Sequence, residues 1–128
     1  MAENNELPLR YVIIDDNSIS HEVLRDYLGK RKDIQYAGKA CDAFDGLRLL
    51  HDKKPDIVIL NVTMPVMSGL QMLDYFDTQS YYVVFSSVLP QTHVQDPRVR
   101  DYLSVPHQQG ALNQIINKAV SYLRQSKR

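Results

Sequence analysis

The chain lacks the features that would assign its class at a glance. It has a single cysteine, Cys41, in 128 residues, so no intrachain disulfide can form. That suits a reducing compartment. Cys41 reads as a small buried hydrophobe ahead of a reactive thiol. There is no excess of charge: 15 basic side chains meet 15 acidic ones. A broad field favouring nucleic acid or an anionic membrane is therefore excluded. No apolar run approaches the ~20 residues that span a bilayer. The start, Met1-Ala-Glu-Asn-Asn-Glu-Leu-Pro8, has neither a basic nor an apolar region and does not read as a signal peptide. Repeats and low-complexity stretches are missing too. The expectation is a cytoplasmic chain, with residues 1–8 as a tail, 9–124 as one domain and 125–128 as a tail or the start of a linker.

What is present is an alternation. Arg10-Tyr-Val-Ile-Ile14 is a short apolar run ending in Asp15-Asp16 and reads as a buried strand. Asn17 or Ser18 can cap a helix carrying Ile19, Val23, Leu24, Tyr27 and Leu28 on one stripe. Ile34 to Ala37 is a second strand, nearer an edge. Asp42 can cap a second helix with Phe44, Leu47 and Leu50 on one face, weakened by Gly46 by roughly 1 kcal/mol relative to alanine. Ile57 to Leu60 is the most apolar strand, closed by Asn61. After the turn Thr63 to Gly69, a third helix carries Leu70, Leu73 and Phe76. Tyr82 to Phe85 is a fourth strand ending at Ser86-Ser87, and Tyr102-Leu103 a fifth before Val105-Pro106. A last helix over residues 109–124 places Leu112, Ile115, Ile116, Ala119, Val120 and Leu123 on one face. Between the fourth and fifth strands stand Pro90 and Pro97. Only about six residues separate them, too few for a good helix. The helix due there is expected to be short, irregular or missing.

Strands apolar on both faces and joined by helices argue for an α/β fold with a five-stranded parallel sheet covered on both sides. Working residues in such sheets sit at the carboxyl ends of strands, where strand order reverses. Here those ends carry Asp15, Asp16, Asn61, Ser86 and Val105. Paired carboxylates repel unless a cation or a proton intervenes. A hard cation such as Mg²⁺ is one partner for them, with Asn61 as a third oxygen donor. The alternative is that Asp15 and Asp16 only cap the first helix. The four histidines (His21, His51, His93, His107) share no metal-ligand spacing and are expected at the surface.

Four segments together resemble response-regulator receiver domains of two-component signalling. Ile13-Ile14-Asp15-Asp16-Asn17 looks like the family's acidic start. Asp56 to Gly69, with Asn61, Met64-Pro65 and Gly69, looks like its central strand and loop. Val83-Val-Phe-Ser86-Ser87 looks like the strand bearing its Ser/Thr. Asp101 to Pro106 looks like the strand with an aromatic switch residue and a Lys-Pro pair. The resemblance spans roughly residues 9–124 and implies a flavodoxin-like, three-layer (βα)5 fold.

Two departures stand out. The family's acceptor aspartate is Asn61 here, and its lysine is Val105. Phosphoryl transfer depends on positioned charge and metal. Losing the nucleophile and the cation together is expected to abolish phosphorylation, leaving a pseudo-receiver that acts by protein–protein interaction and is not an enzyme. Asp15, Asp16, Ser86 and Tyr102 survive. By the resemblance, Asp15, Asp16, the Asn61 oxygen and the Thr63 carbonyl would form at most a weak, vestigial Mg²⁺ site; no cofactor is required. Ser86 and Tyr102 would be switch-like, or else a satisfied turn hydroxyl and a half-buried edge aromatic.

The rebuilt stretch after Ser86 is expected to alter the surface that receivers use for dimers and output. The last helix is similar in pattern to receivers joined to LytTR-type output domains. Partners are expected to be proteins of a signalling pathway, such as a histidine kinase or an output domain, or a second copy in a homodimer, with no nucleic acid contacted by these residues and no membrane. Two alternatives stay open. One is a working receiver trapped by an aspartate-to-asparagine change, against which the missing lysine speaks. The other is a flavodoxin-like cofactor binder, in which Asp15-Asp16 would repel a phosphate.

Overall fold

The computed structural model describes residues 7–126. The tails assigned to 1–8 and 125–128 therefore fall partly outside the described residues. The elements run β1 (Leu9–Ile14), α1 (Ser18–Leu28), β2 (Ile34–Ala40), α2 (Ala43–Lys53), β3 (Ile57–Asn61), α3 (Gly69–Met72), β4 (Tyr82–Ser87), β5 (Asp101–Ser104) and α4 (Gln109–Ser126). All strands pair in parallel, in the order β2-β1-β3-β4-β5. This is the five-stranded parallel α/β sheet that the alternating pattern implied, in the flavodoxin-like arrangement that the family resemblance implied. No described helix is long and apolar enough to cross a membrane.

The pleat of the strands sorts the apolar residues into two cores. Tyr11, Ile13, Ile57, Ile59, Tyr82 and Val84 pack with Leu24 and Leu28 of α1 and with Leu112, Ile115, Ile116 and Ala119 of α4. Val12, Ile14, Val58, Leu60, Val83 and Phe85 face the other way, onto Ala43 and Leu50 of α2 and Met72 of α3. Consecutive strand residues point to opposite faces, so a strand buried on both reads as an unbroken apolar run.

The helix starts are where the polar residues put them. The Asn17 side chain accepts from the amides of Ile19 and Ser20, and the Asp42 side chain from that of Asp45. The buried faces differ from the expected stripes. In α1 it is His21, Leu24 and Leu28 that are buried, while Ile19 is exposed. In α2 the buried face is Ala43, Gly46 and Leu50, and Phe44 is exposed. Gly46 is the reason α2 sits so close to the sheet: a Cβ there would lie 2.9 Å from Ile14 Cγ2 and 3.1 Å from Met72 Cε. Cys41 is exposed rather than buried.

The third helix is shorter than its pattern suggests. Ser68 and Gln71 cap it reciprocally, but after Met72 the chain tightens to a 3₁₀ turn over Leu73–Tyr75, and Phe76 is extended. Phe76 turns edge-on to Tyr81, with ring centroids 5.6 Å apart. Tertiary packing overrides helical continuation here. Between β4 and β5 the described residues hold only the 3₁₀ turn Gln91–His93, which starts directly after Pro90. Val94 and Val99 drop from this loop into the core where a helix face would have packed.

Candidate functional site

Strand order reverses between β1 and β3. β1 leads to β2 on one side of itself, and the chain then crosses to place β3 on the other. Ligand sites in open α/β sheets form at such switch points, beyond the carboxyl ends of the strands. A cleft of about 510 Å³ opens there, lined by Asp15, Asp16, Asn17, Ser18, Ser20, Asn61, Thr63, Val88 and Val105. The fold thus brings together Asp15, Asp16, Asn61, Thr63 and Val105. None of these lining side chains is cationic, and Val105 offers a hydrocarbon surface.

Asp15 is 3% exposed. Its Oδ1 accepts from the Asn17 amide at 2.9 Å, and its backbone carbonyl accepts from His21 Nε2 at 2.7 Å. Asn17, not Asp15 or Asp16, caps α1, so the capping alternative for the two carboxylates does not describe this site. Burial pushes the Asp15 carboxyl above the usual carboxylate range; the Asn17 amide, His21 and His107 pull it back, and Asp16 adds to the rise.

Asn61 ends β3 facing both carboxylates. Its side-chain nitrogen donates to Asp15 Oδ1 at 3.3 Å, to Asp16 Oδ1 at 3.1 Å and to the Thr63 carbonyl at 3.0 Å. All three neighbours are acceptors, so the amide turns its nitrogen to them. The oxygen expected to serve as a metal ligand is turned away. In this arrangement the residues do not fit a cation ligated through Asn61. The loop beyond is pinned by Gly69, whose amide donates to the Val62 carbonyl at 2.7 Å and at which a Cβ would overlap the Asn61 carbonyl. Within this loop Val66 is 90% exposed and holds φ at 71°, unusual for a β-branched residue.

Ser86 and Tyr102 do not share one contact. Ser86 is buried, and its Oγ lies 2.8 Å from His107 Nε2 in a hydrogen bond. Burial holds the His107 imidazole below its ordinary value, with Asp15 opposing. Tyr102 is half-buried and edge-on to Phe85. Its hydroxyl accepts from the Asp96 amide at 2.9 Å and donates to the Asp96 carbonyl at 3.2 Å.

The expectation that all four histidines lie at the surface is corrected for two of them. His21 is buried, and His107 is half-buried against Ser86. His107 is the site residue that sequence reasoning missed. The available signal was its place directly after Val105-Pro106, the first of which lines the cleft. Among the described residues no group of three or more His, Cys, Asp or Glu side chains is arranged to hold a metal.

Known proteins share this fold. The family model of the response regulator receiver domain matches residues 11–117. The Escherichia coli K12 transcriptional regulatory protein BtsR is 29% identical over 122 residues, covering 93% of this chain and 49% of that protein. An uncharacterized response regulatory protein of Vibrio vulnificus is 35% identical over 101 residues, covering 77% of this chain and 42% of its own length. The chain thus spans about half the length of the curated relatives it matches. Among solved structures, the receiver domain of AraT, a response regulator from Geobacillus stearothermophilus, superposes with a TM-score of 0.79 at 20% identity, covering 94% of this chain and 98% of that one.

Proposed function

We propose, from the premise that this chain belongs to the family of response regulator receiver domains, that it is a receiver acting without phosphorylation. It signals by protein–protein contact in a two-component or phosphorelay-type pathway. One observation carries the reading. Asn61 stands at the end of the central strand with its amide nitrogen bound to Asp15, Asp16 and the Thr63 carbonyl. A carboxylate at that point would be a nucleophile towards phosphorus. A carboxamide is a far poorer one, and a stable acyl phosphate cannot form on it without loss of nitrogen. Val105 supplies no cation to hold a transferred phosphoryl group.

The rest of the switch is engaged elsewhere. Ser86 shares its hydroxyl with His107, and Tyr102 is tied to the loop between β4 and β5. Partners are then read by shape. A histidine kinase or an attached output domain is the class that fits a receiver. The helix pattern of α4 suggests an output domain of the LytTR type. A reducing, cytoplasmic setting suits the lone cysteine.

Incubation with acetyl phosphate or phosphoramidate and Mg²⁺ should leave the intact mass unchanged. Gain of one phosphoryl group would overturn the proposal. Asn61→Asp alone should restore little labelling, because Val105 remains.

A further inference from the structure

Asp15 Oδ1, Asp16 Oδ1 and the Thr63 carbonyl converge on one point at the head of the cleft. Two carboxylates and a carbonyl are a donor set for a small, hard cation. The point they share is filled by Asn61 Nδ2, at 3.3, 3.1 and 3.0 Å from the three oxygens. The geometry points to the Asn61 carboxamide as a resident substitute for a divalent cation, one that closes this pocket to Mg²⁺.

The argument is one of exclusion and compensation. Mg²⁺ needs oxygens at about 2.0–2.1 Å in near-octahedral array. An NH₂ group on the same point has to leave first, which means rotating the whole amide. Rotation breaks three hydrogen bonds and turns the Asn61 oxygen towards two carboxylates, one of them 3% exposed. The NH₂ carries two hydrogens for three acceptors, so each hydrogen is used and one is shared. Donation to ionised acceptors is the stronger kind of hydrogen bond. It also offsets repulsion between neighbouring carboxylates in a cleft whose lining side chains include no cation. Asn61 is thus a positioning residue for the acidic pair. Its amide does without charge or exchange what a bound ion would do reversibly.

This inference concerns the metal alone and does not rest on failure of phosphorylation. A chain that bound Mg²⁺ could still refuse a phosphoryl group, and the two experiments separate the outcomes. Thermal melting of the wild-type chain should be indifferent to about 10 mM Mg²⁺, above the range of weak oxygen sites. Mn²⁺ as a paramagnetic probe should leave the amide signals of Asp15, Asp16 and Thr63 sharp. Asn61→Ala, which clears the point without adding a ligand, should melt lower by roughly 4 °C in the absence of divalent ions. It should recover part of that loss with Mg²⁺ and show Mn²⁺ broadening at those three amides. Where Asn61→Ala does not fold, Asn61→Asp keeps the shape, loses the donors and should depend on Mg²⁺ in the same way. Wild-type broadening equal to that of either variant would show that the amide swings aside freely and would sink the inference. So would variants as indifferent to the ion as the wild type.

Discussion

His107 and Ser86 show how two side chains can occupy a site that charge would otherwise organise. Their 2.8 Å hydrogen bond lies beside a buried carboxylate. Burial disfavours the imidazolium, so the folded chain takes up this proton at lower pH than the unfolded chain, whose value is 6.5. The sign follows. Stability tied to neutral His107 is fully present above that value and is lost as pH falls towards the folded one. Asp15 acts oppositely: its raised carboxyl protonates in the folded state first, so acid relieves it. The His107 contribution is therefore read as a difference. His107→Gln should flatten the decline in melting temperature between about pH 7 and pH 5 that is expected of the wild type. Equal slopes in the two proteins would mean that the imidazole is not desolvated.

At the scale of elements, the loop between β4 and β5 stands in for a helix by other means. Val94 and Val99 supply the apolar contact. Arg98 clamps Asp96 at 3.0 Å and reaches Asp74 at 2.8 Å. The Tyr102 hydroxyl closes both backbone groups of Asp96. These two bonds favour the rotamer that the ring adopts here. Tyr102→Phe removes both bonds and leaves the Asp96 amide without its acceptor. A loss of about 1 kcal/mol is expected for this half-buried pair. Faster hydrogen exchange at Asp96 and along residues 88–100, with β4 unaffected, checks it.

For the whole molecule, the sheet divides the interior into two cores that do not share side chains. Ile116 belongs to one and Ile14 to the other; both are fully buried. Ile116→Val and Ile14→Val should each cost about 0.5–1.5 kcal/mol. The double variant should match their sum within about 0.5 kcal/mol in urea unfolding, since sites without common partners add. A larger deviation would show the two faces coupled through β1 and β3.

The strand and helix order, the parallel sheet, the caps Asn17 and Asp42 and the loss of the helix between Pro90 and Pro97 were legible in the amino-acid sequence. They follow from local rules: period, capping chemistry and ring geometry act within a few residues. The meeting of Asp15, Asp16 and Asn61 was legible as well, because topology alone sends strand ends to one edge. Contacts set by distant packing were not. Ile19 and Phe44 look like core residues by spacing, but the faces that α1 and α2 bury carry His21 and Gly46 instead. Only the folded chain decides which end of the Asn61 amide faces the carboxylates, since that depends on three acceptors brought from the end of β1 and the loop after β3. It likewise decides that His107 reaches Ser86 across 21 positions of sequence.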